Sequence, residues 1–382
     1  MFNAPDWLTY LKVRGSYTEV GNSYGRFMTT VTYPYDEQTQ SWTSTSSYPN
    51  TKLKPERTKS WEVGLDARIL NDISLNLTYY RSNTYNQTFY ADLSLSSGYS
   101  NIPIQSGNIM NEGLEMSLGY NKQWKDFSFN TNYTLTWNKN RVKRLADGVY
   151  NYATGQPIQM PELSPLTYGH TDARLILRVG GSMGDVYGQR LLKRDLNGYI
   201  LNEEGVGLAM ENKETYLGSI LPKMNMGWSL GFGYKGVNLG MTFTGRFGGI
   251  VISETQSVLD AAGVSKVSAD VRDAGGVQIN QSKVSAQTYY QTIQGTAAYY
   301  TYSATNVRLG ELSLSYTLPK KWFDNKVGMT VGLVGKNLWM IYCKAPFDPE
   351  LTTSAASNFY QGFDAYMLPS TRNFGFNVKF QF

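Results

Sequence analysis

Phe374-Gly375-Phe376-Asn377-Val378-Lys379-Phe380-Gln381-Phe382 runs on a strict two-residue period. In an extended chain, Phe374, Phe376, Val378, Phe380 and Phe382 fall on one face. Gly375, Asn377, Lys379 and Gln381 fall on the other. The same division recurs upstream. Phe127, Phe129, Thr131, Tyr133, Leu135 and Trp137 alternate with Ser128, Asn130, Asn132, Thr134, Thr136 and Asn138. Met226, Trp228, Leu230, Phe232 and Tyr234 alternate with Asn225, Gly227, Ser229, Gly231 and Gly233, and Ile73, Leu75, Leu77 and Tyr79 with Ser74, Asn76 and Thr78. A fifth such run sets Leu239, Met241 and Phe243 against Gly240, Thr242 and Thr244.

Ten such strands are expected near residues 8–18, 59–70, 73–82, 109–120, 127–138, 226–234, 237–248, 306–318, 327–338 and 371–381. They are roughly 9–12 residues long, enough to cross a hydrocarbon layer at a tilt, whereas strands of water-soluble proteins usually run about 5–6. The connections alternate in length. Asn71-Asp72, Asn121 to Asp126, Lys235-Gly236 and Pro319 to Lys326 are short, and the intervening ones, near 19–58, 83–108, 139–225, 249–305 and 339–370, are long. A membrane barrel has short turns at one rim and long loops at the other; a soluble sandwich has no reason to keep that parity. The two longest loops have room for a further hairpin, giving an expected 10–12 strands. At Gly310 the alternation changes phase, from Val307 and Leu309 to Leu312, Leu314 and Tyr316, which predicts a bulge.

Composition agrees. Charged residues make up 17% of the chain, below the usual quarter, while Tyr (29) and Gly (37) are abundant. No apolar run reaches the length of a membrane-spanning helix. These figures alone would also suit a secreted β-rich glycan binder. The net charge of +5 is dispersed, without the basic stripe of a nucleic-acid site. One cysteine, Cys343, and one histidine, His170, rule out an internal disulfide framework or a Cys-rich metal site. Met1-Phe2-Asn3-Ala4-Pro5-Asp6 has neither a basic start nor an apolar core, so any export signal is expected upstream.

Several blocks add a resemblance. Trp7 to Tyr17 followed by Val20-Gly21-Asn22, Leu53-Lys54-Pro55-Glu56-Arg57-Thr58 with Trp61-Glu62-Val63-Gly64-Leu65-Asp66, and Gly107 to Glu115 come first. Leu217-Gly218 through Pro222 with Gly227 and Tyr234-Lys235-Gly236, then Gly335-Lys336-Asn337-Leu338 and Phe347-Asp348-Pro349-Glu350, follow. In this order the chain resembles the C-terminal barrel region of SusC/RagA-like TonB-dependent outer-membrane transporters of Bacteroidota. That resemblance implies an all-β, antiparallel transmembrane barrel of about 22 strands with a plugged lumen, of which residues 1–382 would supply the last 10–12. It also implies an N-terminal plug and a first barrel half outside this stretch, nutrient import rather than catalysis, and no cofactor. The implied partners are outer-membrane lipid, a SusD-like surface lipoprotein acting as a lid, the TonB complex reached through the plug, and the barrel-assembly machinery.

The alternating run through Gly375, Phe376, Val378, Phe380 and Phe382 is similar to the terminal signal that barrels present to their assembly machinery, an edge suited to strand addition. Asp195-Leu196-Asn197-Gly198-Tyr199 has part of a calcium-loop spacing, but Lys193 stands where an acid is needed; a turn is expected. Asp348 and Glu350 form a carboxylate pair without an evident catalytic partner and are expected to order their loop. His170 is read as a loop histidine and Cys343 as a packing residue. Tyr289-Tyr290, Tyr299, Tyr300, Tyr302, Phe359, Tyr360 and Phe363 are aromatics within long loops, candidates for ligand or lid contact or else for packing and interfacial anchoring. An importer segment for oligosaccharides or peptides is the favoured function. The rivals are a self-contained small barrel acting as a passive pore, adhesin or translocator, which requires the first and last strands to pair, and a soluble glycan-binding module.

Overall fold

A computed structural model describes residues 5–105, 107–145, 162–203, 207–279, 282–351, 353–354 and 358–382; Met1 to Ala4, part of the leader reading above, lie outside them. Its main element is one antiparallel sheet of ten strands in sequential order. These are β1 (Leu8–Asn22), β2 (Glu56–Ile69), β3 (Ile73–Tyr85), β4 (Asn108–Trp124), β5 (Phe127–Arg144), β6 (Met224–Tyr234), β7 (Val237–Phe247), β8 (Asn306–Thr317), β9 (Gly328–Cys343) and β10 (Asn373–Gln381). All ten expected strands are present, and each pairs with its neighbour in sequence. The sheet does not pass ten, because the extra hairpins inside the long loops form small sheets of their own.

Pairing goes further than the hydrophobic pattern indicates. β4 and β5 continue to a Trp124↔Phe127 pair, so only Lys125 and Asp126 turn the chain. The two rings stack with centroids 5.7 Å apart, which rewards the extension. Lys235 and Gly236 close β6 onto β7 with φ of 44° and 88°, the double positive-φ turn that matches strand twist. The expected bulge is present: Thr242 pairs with Glu311 and Phe243 with Leu309, leaving Gly310 without a partner residue.

One face of the sheet is a ladder of apolar and aromatic side chains. Trp61 lies 5.4 Å from Tyr79, Phe129 5.1 Å from Phe232, and Trp228 5.7 Å from Phe243, ring centre to ring centre. The other face carries Asn, Ser, Thr and Gly. There the Tyr80 ring lies over Gly113 and its hydroxyl donates to Asn138 Oδ1 at 3.1 Å; a Cβ at Gly113 would stand 2.5 Å from the Tyr80 hydroxyl oxygen. β1 pairs only with β2, and β10 only with β9, so among the described residues both sheet edges are open.

The deepest burial is elsewhere. Tyr168, Leu175, Leu177, Ile220, Ile252 and Phe363 are almost wholly inaccessible, and all belong to the long connections. A single sheet cannot bury either face against itself, so the water-excluded cores form where the loops pack on one another. The connection between β5 and β6 folds into a four-stranded sheet from Glu162–Thr167, Arg174–Arg178, Asp185–Leu192 and Met210–Ser219. The one between β7 and β8 contributes Ile250–Ser253, Thr301–Ser303 and three short helices, α1 (Glu254–Ala261), α2 (Lys266–Asp273) and α3 (Ala286–Ile293). Phe363–Asp364, from the last connection, adds a parallel strand beside Ile252 and Ser253. Each helix opens on a serine, Ser253, Ser265 and Ser285, whose side chain accepts a backbone N–H of the first turn.

Candidate functional site

The loop head is tied together by a few buried polar side chains. Asp172 accepts the backbone N–H groups of Gln189 (3.0 Å), Arg190 (2.7 Å) and, from the next connection, Ala297 (2.6 Å). Ser253 caps α1 through Gln256 N–H and donates to Asp364 Oδ2 at 2.6 Å. The Tyr168 hydroxyl donates to the Phe359 carbonyl at 2.7 Å. Three separate connections are thereby held as one body.

The aromatics singled out in the sequence divide into two groups. Phe363 is buried and Phe359 and Tyr360 are half-buried in the cluster around Tyr168, with Phe363 and Tyr360 ring centres 5.2 and 6.2 Å from it. Tyr299, Tyr300 and Tyr302 come together with Tyr289 and Tyr290 around a cavity of about 400 Å³. Asp260, at the end of α1, also lines it and is 5% exposed. Burial pushes the Tyr302 hydroxyl up to about 12, with the Asp260 charge adding to the effect, and raises Tyr300 further for the same reasons. Phe363 and Tyr300 thus stand in packed cores, while Tyr299, Tyr302, Phe359 and Tyr360 keep partial access.

A second, larger cavity of about 680 Å³ opens between the ends of β5 and β6 and the four-stranded loop sheet, lined by Asn138, Asn140, Arg141, Ser182, Asp185 and Tyr216 among others. Burial raises the Asp185 carboxyl although the Ser182 N–H and the Tyr216 hydroxyl donate to it.

The carboxylate pair of the last connection orders its loop as expected, with a partner that the sequence did not mark. Arg308, near the start of β8, forks onto Asp348 at 3.0 and 2.8 Å and also onto the Asn306 side-chain oxygen. Asn306 in turn donates to Glu350 at 3.1 Å. Asp195 accepts from Asn197 and Tyr199 N–H, and Gly198 has φ 84°, so that motif is a turn. His170 is exposed in its loop. The Cys343 thiol ends β9 against Val251, Ala304 and Ala345. Among the described residues no group of three His, Cys, Asp or Glu side chains could hold a metal ion.

At the open edge, Phe376, Val378 and Phe380 project from β10 on the apolar face, Gly375 lies on the opposite one, and Phe382 follows the strand. All five are exposed.

The profile of the family described as TonB dependent receptor-like, beta-barrel matches residues 2–338. The chain belongs to that family. TonB-dependent receptors are outer-membrane transporters and not enzymes, which accounts for the two-faced strands. TonB-dependent receptor P3 of Formosa agariphila is 26% identical over 98% of this chain and 40% of its own length. TonB-dependent receptor SusC of Bacteroides thetaiotaomicron is 27% identical over 34% of this chain and 12% of its own. The RagAB peptide importer in its open-open state has the same fold, with a TM-score of 0.70 at 20% identity over 100% of this chain and 41% of that one. This chain therefore spans about two-fifths of the length of P3 and of the RagAB chain.

Proposed function

We propose that these residues are the C-terminal portion of the barrel in a SusC-like TonB-dependent importer that carries oligosaccharides or peptides across the outer membrane. The observation that carries this reading is the open ten-stranded sheet. Unpaired backbone groups at β1 and β10 cost several kcal/mol each in lipid, so a working barrel needs further strands between those edges. The 41% share of the RagAB chain fits such a portion. In the complete importer, the Asn, Ser and Gly face of the sheet lines the lumen around a plug, TonB supplies the energy through that plug, and a SusD-like lipoprotein docks on the loop head. The edge of β10, with Phe376, Val378, Phe380 and Phe382, is the segment offered to the assembly machinery, Gly375 easing the close approach of the added strand. The half-buried Tyr299, Tyr302, Phe359 and Tyr360 are the aromatic contacts for ligand or lid, supported from beneath by Tyr300 and Phe363. A self-contained small barrel requires β1 to pair with β10, whereas the two strands are opposite edges of one sheet.

Uptake tests the reading. Cells lacking the gene should fail to take up one class of labelled oligopeptides or oligosaccharides that wild-type cells import, and loss of TonB should have the same effect. Unchanged uptake of both classes would refute import.

A further inference from the structure

We propose that the tyrosine-lined cavity beside Asp260 binds a primary ammonium group, the charged amino terminus of a peptide ligand. This rests on the import reading and deepens it by naming the ligand chemistry.

Asp260 carries the argument. It is 5% exposed, its Oδ1 accepts one hydrogen bond, from Gln256 Nε2 at 2.7 Å, and among the described residues it makes no ion pair. A carboxylate held out of water without a cation is costly. Its place on α1 adds to the cost. Asp260 is in the last turn, where helix carbonyls favour cations, and α1 has no basic residue there. Among the described residues the Gln256 hydrogen bond is the one side-chain contact that answers this acid; a cation entering the cavity would offset both penalties.

The rest of the cavity suits such a cation. Tyr289, Tyr290, Tyr299, Tyr300 and Tyr302 surround it, and tyrosine rings attract ammonium groups through their faces. Tyr300 is 2% exposed, and among the described residues its hydroxyl has no hydrogen-bond partner, although it lines the same space. An ammonium has three N–H donors and no acceptor. One can reach Asp260 and a second the idle Tyr300 oxygen, leaving the third for water at the mouth. Lys344 lies at the rim, solvent-exposed, and makes no ion pair among the described residues. A neutral sugar would leave the carboxylate charge uncompensated.

The test uses the intact receptor, purified in detergent and studied by titration calorimetry. Trialanine is compared with N-acetyl-trialanine, with N-acetyl-Ala-Lys-Ala amide, which offers only a side-chain amine, and with maltotriose. Trialanine should bind at least tenfold more tightly than its acetylated form, and Asp260→Asn should remove that difference. Asp270→Asn, on the neighbouring helix, should leave it intact. Binding by the lysine peptide but not by trialanine would assign the site to a side-chain amine and overturn the amino-terminal assignment. Equal binding of trialanine and its acetylated form, or binding of maltotriose that depends on Asp260, would overturn the ammonium site altogether. The comparison of probes on the wild-type receptor stands even where Asp260→Asn fails to fold. Import that continues without amine selectivity sinks this inference alone; absence of import sinks the reading beneath it.

Discussion

Arg308 and Asp348 form a two-pronged ion pair, 3.0 and 2.8 Å, that joins β8 to the loop between β9 and β10 while both side chains are about nine-tenths buried. Removing Asp348 leaves the buried Arg308 with only its longer contact to Glu350 at 3.4 Å, a loss that approaches the roughly 3–5 kcal/mol cost of breaking a buried pair. Asp348→Ala should therefore expose the 344–372 loop to protease while leaving the barrel strands protected. Limited proteolysis of detergent-solubilised protein, read by mass spectrometry, checks this.

The same pair sets an acid limit. Burial pushes the Asp348 carboxyl up, but the Arg308 hydrogen bonds and the Glu350 N–H outweigh it and hold the group below its ordinary 3.8. Its stabilising contribution is thus complete above 3.8 and lost as pH falls through the lower folded value. Protection of this loop should be unchanged from pH 7 to 5 and fail only in stronger acid. Failure near pH 6 would show that another group holds it.

Asp172 joins two connections by accepting three backbone N–H groups. Asp172→Ala leaves those donors unpaired in a dry site, at about 1–3 kcal/mol each. Hydrogen exchange at Ala297 should accelerate at least tenfold, and exchange in β6 and β7 should not change.

Alkali should reach the tyrosine cavity late. Tyr302 is raised to about 12 and Tyr300 beyond that, by burial first and by the Asp260 charge second. Because their folded values are raised, the stability they contribute is whole below 10 and lost as pH climbs through the folded values. Ultraviolet titration should show a late tyrosine step, near 12 for Tyr302, that coincides with loosening of the head.

Phe376 and Phe382 stand exposed on or just beyond the free edge of β10. Replacing both with Ser in the intact receptor should lower the amount of heat-modifiable protein in the outer membrane several-fold while synthesis is unchanged. Undiminished insertion would remove their role in assembly.

The ten strands were readable because alternation is a local property. Whether Phe129 and Ser128 lie on opposite faces depends on strand pleat alone, and turn residues such as Lys235-Gly236 act within a few positions. The bulge at Gly310 was equally local. What went unread was every helix of the head, each too short to show a helical period, and with them Asp260, whose signal is its place in the last turn of α1.

From sequence alone come the barrel strands, their order, the parity of turns and loops, and the aromatic content of the connections. Tertiary structure decided which aromatics meet. Tyr168 bonds Phe359 across 191 positions, Asp172 reaches Ala297 across 125, and Ser253 reaches Asp364 across 111. No local pattern encodes such contacts. They arise because three loops anchored at neighbouring strand ends must bury apolar surface that the lipid-facing sheet cannot take in, and the tyrosine cavity beside Asp260 exists only where they pack.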